Sequence, residues 1–244
     1  MKRSMFTVTE NRPLTARVFR LRLRGDCSGI TGPGQFVQIS LPGLFLRRPF
    51  SVGDRRGDEI TLHCETVGRG TEQMRALPEG AELDVLSGLG NGFDLSRAGD
   101  SPLLVGGGTG VSPLLGLARA LTERGIRPRV VLGFETRADV FLADELEGLG
   151  LSPELTTADG SFGVRGLVTD AIDFPHSYFY ACGPEAMLRA VAKKSPAGGQ
   201  MSFDARMGCG FGACMGCTML TKNGPRRVCR DGPVFEKEEL LWED

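Results

Sequence analysis

The 244-residue chain is poor in the groups on which acid–base and hydrolytic chemistry is built. It has two histidines, His63 and His176, with one tryptophan and two tyrosines. No Ser/His/Asp arrangement is evident, which argues against hydrolase chemistry of the triad kind. Neither sign of charge is in surplus: 29 Lys and Arg stand against 30 Asp and Glu, for a net charge of -1. The charges are spread along the chain, so neither nucleic acid nor an anionic membrane is an expected partner. A long apolar run is also missing, because the richest stretch, residues 101–121, is interrupted by GGGTG and falls short of a membrane span. The opening MKRSMFTVTENRPL lacks the apolar core of a secretory leader, and a cytoplasmic location is expected. In that reducing compartment, the seven cysteines read as metal ligands or free thiols rather than disulfides.

Glycine is the residue in excess, 35 of 244 and about twice the usual share. Many positions therefore need positive φ or close approach of the backbone to something bound. Up to about residue 96, short segments such as MFTVTEN, ARVFRLRLRG, GQFVQISLP, EITLHCETVG and AELDVLSGLG alternate with period two between turn residues. That pattern predicts a small antiparallel barrel or sandwich. From residue 101 the period changes. SPLLV, RVVLGF and HSYFYA read as strands, and the segments from Val111, ADVFLADELEGL and PEAMLRAVAKK as helices. Alternating strands and helices predict a parallel sheet with crossovers. KKSPAGGQ reads as a linker to a small metal-binding tail. The expected units are residues 1–98, 99–198 and 199–244.

Cys209, Cys214, Cys217 and Cys229 follow C-x4-C-x2-C-x11-C, with three of them on the glycine-rich stretch MGCGFGACMGCTM. Structural zinc usually draws on two separated C-x2-C pairs, whereas C-x4-C-x2-C is the plant-type [2Fe–2S] spacing. Gly208, Gly210, Gly212 and Gly216 suit a loop whose N–H groups must approach cluster sulfurs. An iron–sulfur cluster is favoured and zinc is the alternative. Cys27 and Cys64 read as ordinary thiols.

SPLLVGGGTGVSPLLGLARAL is a strand, a glycine turn and a helix. Gly106, Gly107, Gly108 and Gly110, with Thr109 among them, let the backbone approach a pyrophosphate at the helix start. Val111 replaces the third glycine of the dinucleotide fingerprint. FYACGPEAM is a second strand, turn and helix, with Cys182 at the carboxyl end of its strand, where open α/β sheets hold ligands. Gly183 and Pro184 open the helix that follows. Glu135, ending the second strand, can accept from a ribose 2′-hydroxyl and favours NAD over NADP, although Arg137 nearby works against that preference. RRPFSV follows a strand, and GRGT precedes a helical stretch with Thr71 as its candidate N-cap.

In order, RPFS, GRGT, GGGTGVSP and CGPEAM resemble the ferredoxin–NADP reductase superfamily, in which a flavin-binding barrel precedes a nicotinamide-nucleotide domain. The resemblance implies FAD contacts at Arg48, Pro49, Phe50 and Ser51, along the strand edge His63, Cys64 and Glu65, and at Gly70 and Thr71. Phe50 stands where many members have tyrosine, and SGLGNGF departs from the usual GPLGNGF. The tail, DARMGCGFGACMGCTM with RVCRDGPVF, narrows the resemblance to the electron-transfer subunits of NAD-dependent (class 1B) dihydroorotate dehydrogenases. That family implies a cluster held by Cys209, Cys214, Cys217 and Cys229. Its partner is an FMN-containing TIM-barrel catalytic subunit that oxidises dihydroorotate in UMP synthesis, in an assembly of two copies of each chain. NAD exchanges hydride and a cluster takes single electrons; flavin can do both, so FAD would stand between them and no residue here need be an acid or base. The competing readings are a flavin/iron–sulfur reductase component of another oxidoreductase complex, and a nucleotide-binding module with structural zinc.

Overall fold

The computed structural model describes residues 1–242. Its first layer is a curled antiparallel half-barrel of seven strands: β1 (Lys2–Pro13), β2 (Val18–Gly25), β3 (Phe36–Ile39), β4 (Arg48–Ser51), β5 (Asp54–Arg56), β6 (Glu59–Glu65) and β7 (Glu82–Leu89). Their order across the sheet is β4-β3-β7-β1-β2-β6-β5. Alternation explains the curl's filling: Phe6 and Val8, Phe19, Leu21 and Leu23, Val37 and Ile39, and Ile60 and Leu62 all face one shared core. Between β6 and β7 lies the short helix α1 (Arg69–Arg75). Its N-cap is Gly68, whereas Thr71 sits at N3. The Thr71 hydroxyl accepts the N–H groups of Val67 (2.9 Å) and Gly68 (3.2 Å), so it braces the turn from inside the helix.

The second sheet is parallel apart from one edge. It contains β8 (Leu103–Gly107), β9 (Arg129–Phe134), β10 (Glu154–Thr157), β11 (Val164–Arg165), β12 (Phe179–Cys182) and β13 (Gly199–Ser202). Helix α2 (Ser112–Glu123) follows β8 through a short 3₁₀ turn, and α4 (Glu185–Lys194) follows β12. Helices on both faces explain the near-continuous apolar strands. Leu104 packs with Leu114, Leu117 and Leu121 of α2, while Leu103 and Val105 pack with Leu188 and Val191 of α4.

The helix expected over ADVFLADELEGL forms only as α3 (Ala143–Glu147), preceded by a 3₁₀ turn at Arg137–Asp139. The chain breaks there to bury two side chains. Leu142 takes φ 67°, and Phe141 lies against His63 and Phe134 at ring-centroid distances of 5.8 Å each. Nor is KKSPAGGQ simply a linker: Gly199 and Gln200 begin β13, buried along its whole length. The tail adds a hairpin, β14 (Thr218–Thr221) with β15 (Gly224–Arg227), and the single-turn helix α5 (Val228–Asp231). It then returns as β16 (Val234–Glu236), antiparallel to β13 at the edge of the second sheet.

Half-barrel and sheet share a polar seam. Gly116 N–H donates to Gly53 O (2.7 Å), and Arg119 Nε donates to both oxygens of Asp54 (3.1 and 3.0 Å). Arg20, nearly buried, joins Glu10 (2.5 Å) to Glu145 of α3 (3.0 Å). Among the described residues, no helix is long and apolar enough to cross a membrane.

Candidate functional site

Two cavities open where the half-barrel meets the carboxyl ends of the parallel strands. The first, about 720 Å³, has Arg48, Pro49, Phe50 and Ser51 of β4 on one wall. His63 and Glu65 of β6, with Gly70 and Thr71 of α1, continue it. Gly107 to Gly110 and Cys182 to Pro184 close it from the nucleotide sheet. The second cavity, about 490 Å³, lies over β9 and β10, between Phe134, Glu135, Phe141, Thr156 and Met187. Gly107, Gly108, Thr109, Glu65 and Pro184 line both cavities, so the two meet at the turn after β8.

Local chemistry suits this junction. The glycines are needed for different reasons. A Cβ on Gly110 would lie 2.5 Å from Gly183 Cα, so the two ligand-facing turns can touch only without side chains. Gly106 lines neither cavity; it packs against Val111 and Leu114 under the helix. Cys64 also points away. It is buried in the half-barrel core, where desolvation pushes its thiol pKa well up, and strand alternation turns His63 and Glu65 to the cavity instead. Burial likewise pushes the Cys182 thiol up to about 12. His63 is buried with Nδ1 2.8 Å from Ser112 Oγ, at the first turn of α2. Desolvation, aided by Arg20 and Arg22, brings its pKa down to about 3, so the ring is neutral. His63 Nε2 is buried without a partner among the described residues on the wall of the first cavity, an unmet polar atom of the kind a bound ring system satisfies. Gly70 leaves room for Arg48, whose Nε would come 2.9 Å from any Cβ there. These residues fit a dinucleotide carrying a polar ring.

Several cavity residues escaped the motifs. Ser112, Phe203, Asp204 and Met207 line the first cavity, and Thr156 and Phe141 the second. Ser112 in GVSP, Asp204 and Met207 in DARMGCGFGACMGCTM and Phe141 in ADVFLADELEGL lay inside segments that gave them no cavity role.

The cysteine loop packs between the half-barrel and the second sheet. Cys217 and Cys229 are buried beside Phe36 and Val228, Cys209 is partly exposed, and Cys214 is exposed. The Cys209 thiol interacts with that of Cys214, and Cys229 interacts with Cys217 and also with Cys209. Among the described residues, no three His, Cys, Asp or Glu side chains converge on a single ion. Cys209 Sγ accepts the N–H groups of Ala213 (3.2 Å) and Cys214 (3.4 Å), and Cys217 Sγ accepts that of Cys229 (3.4 Å). Partial burial resists ionisation of Cys209, yet the surrounding N–H groups hold its pKa down at about 6; burial and Cys217 push Cys229 up to about 12. Gly208 and Gly216 approach Cys214 Sγ, with Cβ positions 3.2 and 3.6 Å from it. Gly210 and Gly212 serve otherwise, turning the loop at φ +76° and +90° against Gln38 and Arg230. Thiols already ringed by N–H donors suit an iron–sulfur cluster, whose sulfurs carry the negative charge.

A half-barrel with a β4 arginine, joined to a glycine-turn nucleotide sheet, defines an electron-transfer protein of the ferredoxin–NADP reductase type. A solved NADH-dependent reduced ferredoxin–NADP oxidoreductase, described in work on flavin-based electron bifurcation, superposes with a TM-score of 0.88 at 28% identity, covering 98% of this chain and 90% of its own. Residues 104–193 match the oxidoreductase NAD-binding domain, and residues 204–241 match the iron–sulfur cluster binding domain of dihydroorotate dehydrogenase B. The electron transfer subunit of dihydroorotate dehydrogenase B (NAD(+)) from Bacillus velezensis is 38% identical, aligned over 98% of this chain and 99% of its own. Its counterpart from Bacillus caldolyticus is 40% identical over 98% of each. The chain belongs to the family of dihydroorotate dehydrogenase B electron transfer subunits. It works as the electron-transfer part of an oxidoreductase, beside a catalytic partner subunit.

Proposed function

We propose that the chain receives electrons at its cysteine loop from a dihydroorotate-oxidising partner and delivers them to NAD across the paired cavities. One observation carries the reading: five residues, Gly107, Gly108, Thr109, Glu65 and Pro184, line both cavities, so ligands in the two would meet at the turn after β8, between the ends of β6 and β12. The first cavity is assigned to FAD and the second to NAD. Arg48 is the cation for the FAD pyrophosphate, with Gly70 and Thr71 on the same wall. Ser51 and His63 Nε2 are the polar contacts for the ring system, and Pro49 and Phe50 its apolar ones. Glu135, at the mouth of the second cavity, is the ribose contact that favours NAD. Cys209, Cys214, Cys217 and Cys229 hold a [2Fe–2S] cluster, a reading supported by their C-x4-C-x2-C spacing and by the match of residues 204–241 to the iron–sulfur cluster binding domain.

When bound, the flavin exchanges hydride pairs with NAD and single electrons with the cluster. The chain's own work is placement. His63 stays neutral, held by Ser112, so no proton is released beside the ring. The Gly110–Gly183 contact keeps the two turns in register, and the N–H groups on Cys209 and Cys217 offset charge arriving at the sulfurs. Residues 1–98, 99–198 and 199–244 are read as the FAD, NAD and cluster units, with strands of the third completing the sheet of the second. The partner is an FMN-containing TIM-barrel subunit in a cytoplasmic assembly of two copies of each chain, contacting the exposed side of the cysteine loop.

The test is anaerobic co-purification with a dihydroorotate dehydrogenase catalytic subunit, followed by assay of dihydroorotate-dependent NAD reduction. Flavin bands with a reddish-brown iron–sulfur absorption and coupled turnover are expected. A colourless zinc protein would overturn the reading. A coloured protein that reduces other acceptors with NADH, but never couples to dihydroorotate, would assign it to a different reductase complex.

A further inference from the structure

Gln38, within β3, is fully buried, yet neither its Nε2 nor its Oε1 has a hydrogen-bond partner among the described residues. Buried amides left in this state are rare, because both groups were solvated in the unfolded chain. Strand alternation gives the direction. Val37 and Ile39 point into the half-barrel core, so Gln38 points the opposite way, on the face where Phe36 packs beside Cys217 and Cys229. An apolar residue would cover that face at no cost in lost hydrogen bonds. What the amide meets is Gly210, next to Cys209. A Cβ at Gly210 would overlap the Gln38 amide carbon, nitrogen and oxygen together. On its other side, Gln38 stands opposite Pro49 in the β3–β4 ladder, between Arg48 and Phe50 of the flavin cavity.

We infer that Gln38 is a positioning residue for electron transfer between the flavin and the cluster: its side-chain amide, unpaired among the described residues, docks the cysteine loop at Gly210 and donates to a sulfur of the cluster when that is bound. The inference rests on reading the four cysteines as cluster ligands. A neutral N–H donated to a cluster sulfur would stabilise the extra electron of the reduced state and so hold the cluster's reduction potential up. A buried amide does this without adding a titratable charge. Gly210 has no side chain because the amide fills that space.

Gln38→Met keeps the length and volume of the side chain while removing its donors and acceptor. In the anaerobically prepared full-length protein, iron and acid-labile sulfide are measured first, then the cluster is titrated by EPR. The expected result is full iron with a midpoint potential shifted negative and altered g-values, while the flavin potential and NADH affinity keep their parent values. An unchanged potential and spectrum in a fully loaded Gln38→Met protein would overturn the inference and leave the cysteine assignment standing. A parent protein without iron or sulfide would overturn the cysteine assignment, and this inference with it. Should Gln38→Met fail to load, the unsubstituted protein decides, labelled with ¹⁵N in its glutamine side chains. Pulsed EPR of the reduced cluster is expected to show coupling to a glutamine amide, and its absence refutes the role.

Discussion

Cys214 and His63 show how differently two side chains can be prepared. Cys214 is exposed, and its sulfur is approached by the backbone of Gly208 and Gly216. Replacing it with serine removes one of the four sulfurs. Iron per chain is expected to collapse and partner-driven NAD reduction to fall by more than about 100-fold, with flavin absorption retained. Iron and sulfide assays beside the visible spectrum check this. His63 is the opposite case, a buried ring whose pKa drops from the ordinary 6.5 to about 3. Between those values the unfolded chain binds the proton and the folded chain does not. The contribution is therefore complete above pH 6.5 and is lost as pH falls toward 3, by about 1.4 kcal/mol per unit. His63→Gln should flatten the fall in melting temperature between pH 6.5 and 4, measured against the parent, and leave the pH 7–8 region alone. The cysteine spacing was legible in the chain because all but one of the ligands sit on a single loop. The His63–Ser112 pair was not, since its members are 49 positions apart and meet only when the half-barrel docks on α2. Gln38 was hidden for the same reason: its neighbour Gly210 lies on the far side of the sequence.

Among the elements, the glycine turn after β8 carries the tightest constraint. Gly110→Ala would press its methyl on the backbone of Cys182 and Gly183, which cannot swing aside as a side chain could. A loss of about 2 kcal/mol in stability is expected, with NADH binding weakened roughly tenfold. Thermal melts and an NADH titration of the flavin fluorescence check both. Elements with a clear period were legible, as in β2, where Phe19, Leu21 and Leu23 alternate with arginines. The helix expected across ADVFLADELEGL was not, because its apolar pattern serves two purposes. Phe141 and Leu142 are drawn into the cavity wall and core, and the backbone gives up helical geometry to deliver them. β13 and β16 escaped notice because each is only three or four residues long and takes its identity from the neighbour it pairs with.

The whole molecule works only if two layers keep their relative angle, and Arg119 is the bond to test. It grips Asp54 with two hydrogen bonds, and Asp54 is buried with Arg56 as its one other cationic partner among the described residues. Arg119→Ala leaves that carboxylate under-compensated, and a cost of about 2–3 kcal/mol is expected. The cavities would then lose alignment, while the cysteines themselves make no contact with Arg119 or Asp54 among the hydrogen bonds and ion pairs of the described residues. NADH-driven flavin reduction in stopped flow should slow, with the cluster's EPR signal unchanged. The return of β16 beside β13 has a different consequence. Ser202 and Val234 are register partners, so the stretch carrying all four cluster sulfurs leaves the sheet and rejoins it at one spot. Such a stretch is a side branch whose two stems share a root. Changing its length would cost little in loop-closure entropy, because closure between adjacent anchors depends only weakly on the number of residues spanned, provided Phe203 and Met207 still line the cavity and Cys217, Val228 and Cys229 still fill the core beside Phe36. A nucleotide reductase could therefore gain or trade an electron outlet by grafting at that one spot.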